Sequence, residues 1–248
     1  DEAYRSRFKV IPNFVKTECT DGANCLVEPE KIKRTPSTLQ EAAASSSSET
    51  VLAVNGILND EKRAAELVYQ NAATLENPET GQMDLKPTAI YLMHIKPANN
   101  AISELMGVAY EKVINALSYD LANFLGYTNG AETYSQALAA RGKIPTVSLG
   151  HSRGTLVQES AFTILANRLD ENGKVYTNPS LTVQGVGGAA NVDSYYKAAA
   201  IVQGPKGDRD EITSSYFNDD VVATSFLAGG NPGAWTLKGL WQIFSTNN

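Results

Sequence analysis

The segment Gly150-His151-Ser152-Arg153-Gly154 has the form Gly-x-Ser-x-Gly. An apolar stretch at 145–149 precedes it, and a pattern with helical spacing at 155–169 follows it. A serine on a sharp turn between a strand and a helix is lifted above the sheet edge, where its hydroxyl can attack a carbonyl carbon. The flanking glycines leave room where the strand and helix backbones pass close to the serine. The pattern predicts that Ser152 is a nucleophile; a glycine-rich turn without chemistry is the alternative.

Attack on a carbonyl also needs N–H donors for the negative charge that develops on the carbonyl oxygen. One predicted donor is the backbone N–H of Arg153, the residue after the serine. The second is predicted in the loop after an earlier strand, where Gly56 and Ile57 lie. A plain turn after that strand is the alternative for Gly56 and Ile57.

A catalytic acid is expected after the serine, on a loop that follows a late strand. Asp220 is the predicted acid, in preference to Asp219, and an Asn-Asp-Asp turn is the alternative. The base is harder to place, because the chain contains only His94 and His151, and both precede Asp220. His151 is predicted to be structural and turned away from the serine. His94 is predicted to be a pocket-side or core histidine, two strands away. The serine is therefore expected to have no histidine within hydrogen-bond reach and to turn over esters weakly.

These residues need a framework, and from residue 50 onward strand and helix patterns alternate. Such alternation predicts an α/β fold with a mainly parallel central sheet flanked by helices, of the α/β-hydrolase-like kind. The predicted strands are 51–54, 89–95, 145–149, 181–186 and 212–217. The predicted helices are 60–73, 101–124, 132–140 and 155–169. Residues 101–140 are the predicted cap or lid, with ordinary core packing as the alternative.

The first 49 residues have a different composition, with mixed charges, scattered prolines and a serine run at 45–48. We predict an irregular N-terminal appendage and linker at 1–49, packed outside the core, and the α/β-hydrolase-like domain at 50–248. Cys19 and Cys25 are close enough in sequence, with a turn between them, to form a disulfide. Two free thiols are the alternative. No metal site is predicted, since no histidine or second cysteine pair accompanies them.

The composition excludes several classes of function. A formal net charge of -6 does not favour binding to nucleic acid. No apolar run approaches the roughly 20 residues that span a bilayer, and the first residues hold no apolar signal core, so no transmembrane segment is predicted. The first residue is expected to follow a cut within a longer chain. No cofactor is predicted.

Several motifs in fixed order resemble the hydrolase-like region near the C-terminus of large haemagglutinin-type exoproteins, from two-partner secretion and contact-dependent growth inhibition systems. The resemblance covers about residues 50–245, and its motifs are Asn55-Gly56-Ile57-Leu58-Asn59, Tyr91-Leu92-Met93-His94 with 97–105, Gly150-His151-Ser152-Arg153-Gly154, and Asp219-Asp220 with Asn231-Pro232. In the family pattern a histidine follows the segment that corresponds to Trp241, and this chain has none there.

The resemblance implies part of a Gram-negative exoprotein, secreted or at the cell surface. It further implies a toxin tip delivered into a neighbouring cell, an ester or lipid-like substrate, and an immunity protein as partner. Any toxicity is expected to depend on Ser152. A catalytically degenerate hydrolase fold that serves binding or delivery is the alternative, and an ordinary secreted lipase is a third.

Overall fold

The computed structural model describes residues 12–20, 24–45, 50–56, 59–73, 89–97, 101–125, 130–169 and 172–215. These residues form one seven-stranded sheet. The strands are β1 (Asn13–Cys19), β2 (Ile32–Ser37), β3 (Thr50–Val54), β4 (Ala89–His94), β5 (Thr146–His151), β6 (Leu181–Val186) and β7 (Ile212–Ser214). The α-helices in the described part are α1 (Leu39–Ala44), α2 (Glu61–Ala73), α3 (Ala101–Ala116), α4 (Tyr119–Leu125), α5 (Ala131–Arg141), α6 (Gly154–Asn167) and α7 (Val192–Gln203).

The strand order across the sheet is β2-β1-β4-β3-β5-β6-β7. The run β4-β3-β5-β6-β7 is parallel throughout, whereas β1 is antiparallel to both β4 and β2. All five residues of β3 are buried, as expected for a central strand of a parallel sheet that is covered on both faces. The prediction of an α/β fold with a mainly parallel sheet is confirmed.

Helices cover both faces of this sheet, because alternate side chains of the central strands point to opposite sides. On one face Val51 and Ala53 of β3 pack with alanines and Val68 of α2. On the other face Leu52 and Val54 pack with apolar side chains of α5, α6 and α7. The central strands are thus held between two helical layers, and β5, which carries the serine at its end, lies next to β3 in the middle of the sheet.

The N-terminal region differs from the predicted appendage. Residues 13–19 and 32–37 are the two antiparallel strands at one edge of the sheet, and the side chains of Phe14 and Ala42 belong to the main core. Within residues 12–45, the expectation of packing outside the core is therefore wrong. The sequence of β2 has no clear alternation of apolar and polar residues, because β2 is the outermost strand and buries only Ile32. The predicted bond between Cys19 and Cys25 is confirmed: a disulfide joins them, with the Cα atoms 5.9 Å apart.

Two further differences concern helices. The predicted helix at 101–124 is interrupted at 117–118 and forms α3 and α4. Helix α7 was not predicted, although its signals are present in the sequence. The side chain of Asn191 accepts hydrogen bonds from the backbone N–H groups of Asp193 and Ser194, and Gly204 follows the last turn. Among the described residues, no helix is both long and apolar enough to span a membrane.

Candidate functional site

The turn from β5 into α6 holds Ser152 in a strained backbone conformation. Its φ angle is 51°, and Ser152 is the one non-glycine residue of positive φ in the described part of the chain. An L-residue in this region costs free energy, about 1 to 3 kcal/mol, which the surrounding structure must offset. The half-buried serine lies at the carboxyl end of a central parallel strand, where ligands of open α/β sheets commonly bind.

Both glycines of the pentapeptide lie in close contacts, Gly154 with main-chain atoms and Gly150 with a buried side chain. A Cβ on Gly154 would come within 2.4 Å of the carbonyl oxygen of Val54, at the end of β3. A Cβ on Gly150 would come within 2.0 Å of Oε1 of Gln158, in the next turn of α6. The helix therefore approaches the sheet more closely than any side chain would permit, which is the geometry expected of the predicted sharp turn.

The loop after β3 packs directly against the serine. A Cβ on Gly56 would lie 3.0 Å from Cβ of Ser152 and 2.7 Å from Nδ1 of His151. The buried side chain of Asn55 holds this loop in place: its Oδ1 accepts from the N–H of Ile95 at 2.7 Å, and its Nδ2 donates to the carbonyl oxygens of Ile95 and Gly56. Gly56, one of the two residues predicted to hold the second oxyanion donor, thus lies beside Ser152.

Arg153 is anchored through its side chain to α3. Its guanidinium donates to both carboxylate oxygens of Glu111, from Nε at 2.7 Å and from Nη2 at 2.5 Å. Both side chains are buried. The two parallel hydrogen bonds fix the geometry of the pair as well as its charge. Helix α3, part of the segment predicted as a cap, is therefore tied to the residue that follows Ser152.

A fully buried polar network lies beneath the turn. The Tyr134 hydroxyl donates to the carbonyl oxygen of Leu52 and contacts Oγ of Ser148 at 2.7 Å. Oγ of Ser148 accepts from Nε2 of Gln158, whose Oε1 accepts from the hydroxyl of Tyr195. Burial raises the pKa of both tyrosines above the ordinary value, so both are neutral donors. The network joins α5, β5, α6 and α7 around the strand that carries the serine.

A buried carboxyl group, that of Glu159, lies on α6 directly after Gln158. Glu159 accepts hydrogen bonds from Nδ2 of Asn115 on α3, at 2.8 Å, and from the hydroxyl of Ser194 on α7. Burial raises its pKa to about 7, while these hydrogen bonds and the charge of Lys112 act in the opposite direction. Near neutral pH the Glu159 carboxyl group is therefore partly protonated, at the junction of α3, α6 and α7.

His94 lies at the end of β4, and β3 separates β4 from β5, so the predicted two-strand distance from Ser152 is confirmed. His94 is buried, and its Nε2 lies 3.2 Å from the carbonyl oxygen of Asn59. His151 is half-buried at the end of β5, beside Gly56. That His151 turns away from the serine hydroxyl stays a prediction.

Three predicted site residues, Ile57, Asp219 and Asp220, lie outside the described residues. Strand β7 ends at Ser214, in register with Gly185 of β6, so the segment that leads to Asp220 starts from the same sheet edge as Ser152. Within the described part, no cluster of acidic, histidine or cysteine side chains could hold a metal ion. A small polar cavity between the N-terminal strands and α2, lined by Glu30, Arg34 and Lys62 among others, is remote from the serine and carries none of this chemistry.

No family model, curated protein or solved structure matches the chain significantly. The functional reading therefore depends on the geometry around Ser152. Sequence reasoning did not find Glu111 or Glu159 as members of this region. A weak signal was available for the two acids, since charged residues within apolar helical stretches are buried only when they are paired or hydrogen-bonded.

Proposed function

We propose that the chain is a serine-hydrolase-type domain of α/β-hydrolase-like architecture, with Ser152 as nucleophile toward an ester or lipid-like carbonyl. The observation that carries the proposal is the strained φ of 51° at Ser152, between two glycines that have no room for a Cβ. Strain of this kind persists where the surrounding structure imposes it, and it clusters at active sites. The position of Ser152, at the carboxyl end of a central parallel strand, supports the same reading.

In the proposed reaction, Oγ of Ser152 forms a bond to the carbonyl carbon while its proton passes to a base. The charge on the carbonyl oxygen is met by the N–H of Arg153 and by an N–H from the Gly56-Ile57 loop. Collapse of the tetrahedral intermediate expels the alcohol and leaves an acyl-serine, which water then hydrolyses. Asp220 is the proposed acid that would orient the base.

The second candidate function is binding or delivery by a hydrolase fold that has lost catalysis. One observation favours it. His94 lies two strands from Ser152 and hydrogen-bonds to the carbonyl oxygen of Asn59, so it is not placed to act as the base for Ser152. Under either candidate, the context we propose is a Gram-negative exoprotein, with toxin delivery and an immunity protein as its further elements.

Labelling with a fluorophosphonate separates the two candidates, because this probe phosphonylates activated serines. The chain should label slowly, since no histidine is expected within hydrogen-bond reach of the Ser152 hydroxyl. Labelling should disappear in the Ser152→Ala variant. The Ser180→Ala variant is the matched control, because Ser180 is exposed in the turn before β6. No labelling of the folded wild-type chain, or equal labelling of the Ser152→Ala variant, would overturn the hydrolase proposal in favour of binding. Fast labelling through Ser152 would show that a base is already present.

A further inference from the structure

The two peptide groups on either side of Ser152 are both held by hydrogen bonds. The N–H of Ser152 donates to the carbonyl oxygen of Val186, at the end of β6, at 2.8 Å. The carbonyl oxygen of Ser152 accepts three hydrogen bonds: from the N–H of Thr155 at 3.0 Å, from the hydroxyl of Thr155 at 2.8 Å and from the N–H of Ala189 at 3.3 Å. The strained serine is thus fixed from the β6 side by main-chain and side-chain partners together.

The hydroxyl of Thr155 is the centre of this arrangement. Besides donating to the Ser152 carbonyl, it accepts from the N–H groups of Ala189 at 2.9 Å and Ala190 at 3.0 Å. Thr155 is fully buried, and its methyl group packs against Gly185, where an added Cβ would come within 3.1 Å of it. One hydroxyl therefore links the turn after β5 to the loop after β6.

The Ser152 carbonyl and the Arg153 N–H belong to one peptide group, and no cis peptide bond occurs in the described part of the chain. In a planar trans peptide the C=O and the N–H point in opposite directions. Whatever holds the carbonyl therefore also sets the direction of the N–H. We infer that Thr155 is a positioning residue, whose hydroxyl orients the Arg153 N–H as an oxyanion donor. This inference rests on the proposed hydrolase function.

The salt bridge between Arg153 and Glu111 complements this role, because it restrains the same residue through its side chain. Thr155 acts on the peptide plane and Glu111 acts on the guanidinium. An oxyanion donor is effective only when it is already aimed at the position of the developing charge, since reorientation during the reaction costs free energy. Without the hydroxyl, the Ser152 carbonyl keeps only two main-chain donors, the N–H of residue 155 at 3.0 Å and that of Ala189 at 3.3 Å, so the peptide plane is held less firmly and the Arg153 N–H is aimed less accurately.

The Thr155→Val variant removes the hydroxyl and keeps the shape, and the Thr155→Ser variant keeps the hydroxyl. Removing an oxyanion donor typically costs 10² to 10³ in rate, so a misdirected one should slow the Thr155→Val variant by about 10-fold or more. We expect this loss in kcat for p-nitrophenyl acetate and in the rate of fluorophosphonate labelling. KM should stay within about 2-fold, and the Thr155→Ser variant should recover the wild-type rate. The end-point of labelling counts competent molecules, so partial unfolding would lower the end-point and leave the rate unchanged.

The Thr163→Val variant is the matched control, because the Thr163 hydroxyl donates to the carbonyl oxygen of Glu159 in the same helix, remote from Ser152. It should label at the wild-type rate. If the Thr155→Val variant does not fold, the Thr155→Ser and Thr155→Ala variants both lack the methyl group and differ only in the hydroxyl, and the serine variant should react about 10-fold faster. Wild-type labelling that does not depend on Ser152 overturns the hydrolase proposal itself. Ser152-dependent labelling with equal rates for the valine variant, or for the serine and alanine variants, overturns the role of Thr155 alone.

Discussion

Two arginines are buried in the described part of the chain, and their charges are satisfied in different ways. Arg141, at the end of α5, is 1% exposed, and its guanidinium donates to neutral oxygens: those of Ala42, Ser45, Pro145 and Thr146. Arg153, the residue after Ser152, is 7% exposed and forms two hydrogen bonds with the carboxylate of Glu111. Burial lowers the pKa of Arg141, as expected for a cation removed from water.

Arg141 therefore belongs to the framework of the fold, whereas Arg153 belongs to the region around Ser152. Arg141 binds three main-chain carbonyls: those of Ala42 and Ser45 at the end of α1, where the helix dipole favours a cation, and that of Pro145 before β5. It thereby ties the end of α1 to α5 and to the start of β5. Arg153 meets a full opposite charge on another helix, so the two charges can be removed together.

The largest expected effect is the loss of Arg141. In the Arg141→Met variant two buried acceptors, on Ala42 and Thr146, and two less buried ones, on Ser45 and Pro145, lose their partner. We expect a decrease of about 5 kcal/mol in the free energy of unfolding, because each unsatisfied buried acceptor costs about 1 to 3 kcal/mol. Urea unfolding followed by circular dichroism measures this loss. If the methionine variant does not fold, the Arg141→Lys variant should fold with an intermediate loss, since lysine cannot reach all four oxygens at once.

The control for Arg141 is Arg168→Met, at the exposed C-cap of α6, which should change the unfolding free energy by less than about 0.5 kcal/mol. A loss below about 1 kcal/mol in the Arg141→Met variant would contradict the architectural role.

The next effect concerns the ion pair. Removing one partner, in Glu111→Met or Arg153→Met, should cost about 4 kcal/mol because it breaks both hydrogen bonds of a buried ion pair. The double variant should cost much less than the sum of the two single variants, since both charges leave together. A double-mutant cycle from urea unfolding measures the coupling. Additive losses would show that the two side chains are not energetically paired.

The smallest expected effect concerns Glu159. Unlike the two arginines, this buried carboxyl group can lose its charge by binding a proton. The pKa of Glu159 is raised to about 7 by burial, from an ordinary 4.5. The folded chain therefore binds a proton between these values that the unfolded chain has released. The contribution of Glu159 to stability should be greatest below about pH 4.5, should fall as the pH rises to about 7, and should then level off.

The contribution of Glu159 is on the order of 3 kcal/mol at most. The Glu159→Gln variant is neutral at every pH and can keep its contacts to Asn115 and Ser194, because the serine hydroxyl can accept as well as donate. We expect the difference in unfolding free energy between wild type and this variant to shift in favour of the variant from pH 5 to pH 7.5. A difference that is constant across this range would show that Glu159 does not titrate there.

The parallel half of the fold was predictable because its signals are local. Strand β6 was predicted with its observed bounds, and β3, β4 and β5 within two residues at each end, since buried parallel strands are short apolar runs. The N-terminal strands were not predicted, because an edge strand such as β2 exposes most of its side chains and loses its alternating pattern. The interruption between α3 and α4 was also missed, because apolar spacing continues across it.

The amino-acid sequence by itself determined the α/β class, the Cys19–Cys25 disulfide and the turn that presents Ser152. Each of these depends on residues close together in the chain, such as an apolar strand, a pentapeptide or two nearby cysteines. Only the tertiary structure decided that Thr155 bonds to Ala189, that Arg153 pairs with Glu111 and that Arg141 joins the N-terminal segment to α5. These contacts join residues that are 34, 42 and 99 positions apart in the chain. The sequence does not indicate such pairs, because a polar side chain needs a specific partner only once folding has removed it from water.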